Sequence, residues 1–103
     1  PEDVRLRGFV ESSLGIVAEA ELAIAEGLAA SDPLGTSETN RTSVNQHAAN
    51  ALACCDLAAE LRIEGTDEWM DKGTFADPGR QWDSLRSAAF QLFAGVKREA
   101  ALR

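Results

Sequence analysis

Apolar residues recur along the first thirty positions at helical spacing. Leu6, Val10, Val17, Ile24 and Leu28 lie four or seven residues apart, and Phe9, Leu14 and Ile16 widen the stripe. This spacing repeats on one side of a 3.6-residue turn, so it predicts one long helix over about 2–30, packed through that stripe. Glu2 and Asp3 in its first turn suit the positive end of the helix dipole. Gly8, Gly15 and Gly27 each weaken it by up to about 1 kcal/mol, so tertiary packing has to hold it. Pro33 disfavours helical geometry at Asp32 and sets the stop.

A polar stretch follows, Ser31-Asp32-Pro33-Leu34-Gly35-Thr36-Ser37-Glu38, and then a different pattern. Ser37 or Thr39 is the expected cap of a second helix over about 39–63. Its centre, Ala48-Ala49-Asn50-Ala51-Leu52-Ala53-Cys54-Cys55, is small and apolar almost all round. Such a helix belongs in the middle of a bundle, touched from several sides. Val44, Ala48, Ala51, Cys55 and Ala58 give its core stripe, and Leu57 and Leu61 extend the apolar surface at its end.

Thr66 as a cap, acids after it and Gly73 at the exit predict a short helix over about 67–72. Asp77-Pro78 then reads as a cap followed by a first-turn proline, opening a last helix over about 78–102. Trp82, Leu85, Ala89, Leu92, Val96 and Ala100 form its core stripe, with Phe90 and Phe93 on a flank. The expected fold class is all-α, a single domain over 1–103. It is an up-down-up bundle of three long antiparallel helices with the short helix as an addition.

Composition agrees with this reading. The chain has 103 residues, 45% apolar and 26% charged, and Ala occurs 18 times. Ala is the strongest helix former because no side-chain entropy is lost. The excess of Ala, and of Arg over Lys, also suggests a GC-rich bacterial genome. No apolar run approaches the ~20 residues of a membrane span. The first residues lack a basic segment followed by an apolar one, so a cytoplasmic location is expected.

Net charge is −7, and its distribution carries more than its total. Residues 11–40 hold six acids and no base. Binding to nucleic acid requires a basic stripe that displaces counterions, so no DNA partner is expected. Only the last turns, with Lys97, Arg98 and Arg103, run basic.

Few residues carry chemistry. Cys54 and Cys55 are adjacent on a helix, about 100° apart around its axis, and read as reduced core thiols. His47 is the only histidine and no ligand cluster surrounds it, so neither metal nor cofactor is expected. The acids around residue 67 lack the spacing of a calcium loop, since Trp69 sits at its third position. Asp67, Glu68, Trp69, Met70, Asp71 and Phe75 instead combine large apolar groups with an acidic rim. That pattern suits either a lid over the core or the grip of a basic protein partner.

Arg41 precedes His47 by six positions in Arg41-Thr42-Ser43-Val44-Asn45-Gln46-His47, near the start of an inner helix. With the long preceding helix, this resembles the signature of HEPN-type helical nucleases across about residues 15–65. The resemblance implies a dimeric ribonuclease, or an inactive relative, in which Arg41 and His47 from paired chains surround a phosphodiester. The residues themselves favour a different expectation. That is a non-enzymatic interaction or regulatory module, binding another protein or itself, and forming a homodimer of six helices.

Overall fold

The computed structural model describes residues 2–61 and 81–102. They form three α-helices, α1 (Glu2–Ser31), α2 (Glu38–Leu61) and α3 (Trp82–Leu102), and no strand occurs among the described residues. The short helix expected over 67–72, and with it Asp67, Glu68, Trp69, Met70, Asp71 and Phe75, lies outside the described residues.

Local side chains set the helix boundaries. Ser37 caps α2: its Oγ accepts from Asn40 N–H at 3.1 Å, and its carbonyl accepts from Arg41 N–H at 3.0 Å. The first bond answers one of the donors that a helix start leaves without an internal acceptor. The third helix starts later than the proline suggested. Gln81 is not helical, and its carbonyl accepts the first turn's bond from Leu85 N–H at 3.0 Å. Ser84 Oγ accepts from Gln81 N–H at 3.2 Å, the backward half of a capping box with Ser in the place usually held by Glu.

The α1–α2 turn is built on Asp32. Its carboxylate accepts from Thr36 N–H and Oγ1–H at 3.2 and 3.0 Å and from Ser37 N–H at 2.9 Å. Gly35 takes φ 61°, a left-handed conformation that an L side chain resists, and its N–H donates to Asp32 O at 2.9 Å. Asn40 Nδ2 then donates across the turn to Leu28 O at 2.9 Å.

α2 packs against both other helices, and α1 and α3 touch each other least. The predicted α2 stripe is the observed one, with Val44, Ala48, Ala51, Cys55 and Ala58 all buried. One cluster joins Ala18 and Leu22 to α2 residues from Ala51 to Ala58, and to Trp82, Leu85 and Ala89 of α3. A second joins Ala25, Val44 and Ala48, with Leu28, Leu92 and Phe93 against them. Among the described residues half of the buried apolar positions are alanine, and small side chains at a contact permit close helix packing.

The first helix contradicts the expectation drawn from its spacing. Leu6, Phe9, Val10, Ile16, Val17 and Ile24 do not enter the bundle and are between 42% and 70% exposed. The buried side of α1 is instead the narrow one, Glu11, Gly15, Ala18, Leu22 and Ala25. α1 carries two stripes, and the one with Gly15, Ala18 and Ala25 along it is the one that meets the small-residue surface of α2. Dispersion and packing favour that match, and the bulkier stripe is left facing out.

Candidate functional site

The two residues that carried the nuclease resemblance sit on α2 but serve different neighbours. Six residues of helix separate them by roughly 9 Å along the axis and about 120° around it. Arg41 Nη1 donates to Gly35 O at 2.5 Å and so braces the α1–α2 turn. His47 Nδ1 meets Glu21 Oε2 of α1 at 2.5 Å, with both side chains partly buried. The fold brings neither to the other.

Cys54 and Cys55 are free and buried. Burial pushes the Cys54 thiol up, and the Glu21 carboxylate adds to the effect. Burial pushes Cys55 up to about 11; Arg86 opposes this, but desolvation is the larger effect. Raising a thiol in this way lowers its share of thiolate, which is the nucleophilic form. Cys55, Ala59, Trp82, Asp83 and Arg86 line a small open cleft between α2 and α3. Arg86 crosses its edge to pair with Asp56. Among the described residues no three His, Cys, Asp or Glu side chains gather as metal ligands, and no helix is long and apolar enough to cross a membrane.

The feature that sequence reasoning placed wrongly is the outer face of α1. Val10, Val17 and Ile24 recur every seven residues, and Leu6, Ser13, Ala20 and Gly27 recur every seven between them. Together they make an unbroken 4-3-4-3 seam, the spacing by which one helix presents a straight edge to another. Phe9, Ile16 and Ala23 run beside it, also seven apart, and none of these ten positions is charged. The seam spans about 32 Å at 1.5 Å per residue. Ser13 does not break its apolar character, because its hydroxyl donates to Phe9 O at 3.0 Å within the helix. The signal was visible in the sequence as the 4-3-4-3 run; what it lacked was the side of the helix that α2 occupies. Leu34, Leu57 and Phe90 are also more than half exposed, scattered singly on the turn, α2 and α3.

Comparison of the chain with protein-family models, with curated proteins and with solved structures finds no match.

Proposed function

We propose that this protein is a non-enzymatic interaction module whose work is to bind another protein or a second copy of itself. The outer face of α1 carries this reading. The largest contiguous apolar patch on a monomer is often its functional contact site, and this one, at the upper end of the size such patches reach, spans most of a helix. The proposal includes a homodimer of six helices, in which each chain is an up-down-up bundle and the acidic segment at 67–75 offers a second contact for basic partners. A cytoplasmic setting and reduced cysteines belong to the same reading.

Two further facts support it over the HEPN-like nuclease. Arg41 would have to leave the Gly35 carbonyl, and His47 the Glu21 carboxylate, before either could address a phosphodiester. The acids of residues 11–40 would also repel an RNA backbone. Incubating the protein and the Arg41→Ala and His47→Ala variants with single-stranded RNA decides between them. The interaction reading expects no cleavage above background by any of the three. Cleavage by the parent that both variants lose would overturn it.

A further inference from the structure

We propose that the occupant of the α1 seam is a second copy of this chain, with the two α1 helices antiparallel. The inference rests on the self-association reading above and adds the surface, the partner and the orientation.

Area is the first argument. The six large side chains of the face, 42% to 70% exposed, present on the order of 600 Å² between them, against the roughly 800 Å² per partner of a standard interface. Among the described residues the core is thin by comparison, with Leu22, Leu85, Trp82 and Val44 as its largest apolar groups. More bulky apolar surface faces out of α1 than faces in.

Size complementarity chooses the partner and its direction. In the seam the 10-17-24 row is β-branched, Val, Val and Ile, whereas the other row begins with Leu6 and continues as Ser13, Ala20 and Gly27. Parallel pairing would set like against like, leaving layers of Gly or Ala facing themselves beside layers of Ile or Val. Antiparallel pairing sets one row against the other. Val10 then meets Gly27 of the second copy, Val17 meets Ala20 and Ile24 meets Ser13. In the same register Ile16 comes beside Ala23, and Phe9 beside Ala30. Each large group in these pairs finds a small one, which is the condition for even packing density. A Cβ added at Gly27 would have nothing within 4 Å, so the recess for Val10 is open in the single chain. A basic partner would be drawn to the acids and would gain nothing from an uncharged seam ten residues strong.

Sedimentation equilibrium on the full chain tests the pairing, with circular dichroism to confirm that helix content is kept. The parent is expected at twice its 11.0 kDa mass at 100 μM. Val17→Glu and Ile24→Glu are expected at the single mass with unchanged helicity, and Leu34→Glu, off the seam, at the double mass. Gly27→Leu removes the recess while improving helix propensity, so it is expected to raise helicity yet weaken the dimer at least tenfold. Orientation is read by mixing Val10→Cys and Gly27→Cys chains in a Cys54→Ala, Cys55→Ala background under mild oxidation. Antiparallel pairing gives the mixed disulfide, whereas each variant joined to itself would overturn the orientation. A parent dimer that survives both Glu variants would overturn the seam and leave self-association standing. A parent that stays at the single mass would overturn the pairing, while the module reading would still be judged by RNA cleavage.

Discussion

His47 on α2 and Glu21 on α1 meet at 2.5 Å, the one side-chain bond among those described above that joins the two helices midway along their length. The pair is partly buried, with 30% and 21% of the side chains exposed, so solvent screens it less than a surface pair. Truncating either partner should cost about 1 kcal/mol of unfolding free energy, the usual net worth of such a bond. Urea titrations of His47→Ala, Glu21→Gln and the double variant would measure it. A coupling energy near zero would show that the two side chains are neighbours without being partners.

The turn between these helices depends on one aspartate and one glycine. Gly35→Ala forces an L side chain into the left-handed region and should cost about 1–2 kcal/mol. Asp32→Ala removes the acceptor for two backbone N–H groups and a hydroxyl, and should cost about 1 kcal/mol even though the site is exposed. Both are read as a shift of the urea midpoint with the slope unchanged. A change in slope would mean that the turn shapes the unfolded chain instead.

Small side chains in the core make a sharper test than large ones. Ala51 is fully buried between neighbours on α1 and α3, so Ala51→Leu adds volume where none is free. Overpacking of this kind should cost about 1–3 kcal/mol. Leu22→Ala, at 1% exposure, should cost about 2–5 kcal/mol through lost burial and the cavity it leaves. If Ala51→Leu were neutral, the helices would be less closely packed at the middle of α2 than the clusters indicate.

The sequence made some parts of this architecture readable and hid others for physical reasons. The α2 stripe was legible because its small residues left one consistent interpretation, a helix with neighbours on two sides. The Ser37 cap was legible because a hydroxyl before a helical pattern has a local partner three residues on. The inward side of α1 was not, since periodicity reports that a stripe exists and not which neighbour it faces. Hydrophobic burial alone ranks Val17 and Ile24 above Ala18 and Ala25. The winning term is fit to α2, a property of another segment twenty or more residues away. The start of α3 was hidden for a related reason. Pro78 tolerates a helix start, but the cap was formed by Gln81 and Ser84, a backward bond with a less common residue. The candidate pair Arg41 and His47 was read correctly as lying on one helix. Its two partners, Gly35 O and Glu21, come from the turn and from α1.

The cysteines supply a prediction with a defined sign. Cys55 is held at about 11 against an ordinary value of 9.0, mainly because burial disfavours the thiolate, with Cys54 and Asp56 nearby adding to it and Arg86 opposing. Between about pH 9 and 11 the unfolded chain has released this proton and the folded chain still holds it. The folded state therefore binds more protons, and stability falls as pH rises through that window. Below pH 9 the two states are equally protonated at this site and the contribution is fully present. Urea titrations at pH 8, 9.5 and 11 should show the parent losing stability faster than Cys55→Ala, with the difference between them isolating this thiol from other groups that titrate there. Thiol labelling offers an independent reading. At pH 8 both cysteines should react with an aromatic disulfide reagent far more slowly in the folded protein than in urea, because they are buried and protonated. Rapid labelling of the folded chain at pH 8, or parallel pH curves for parent and variant, would show that Cys55 reaches solvent through the cleft beside Trp82.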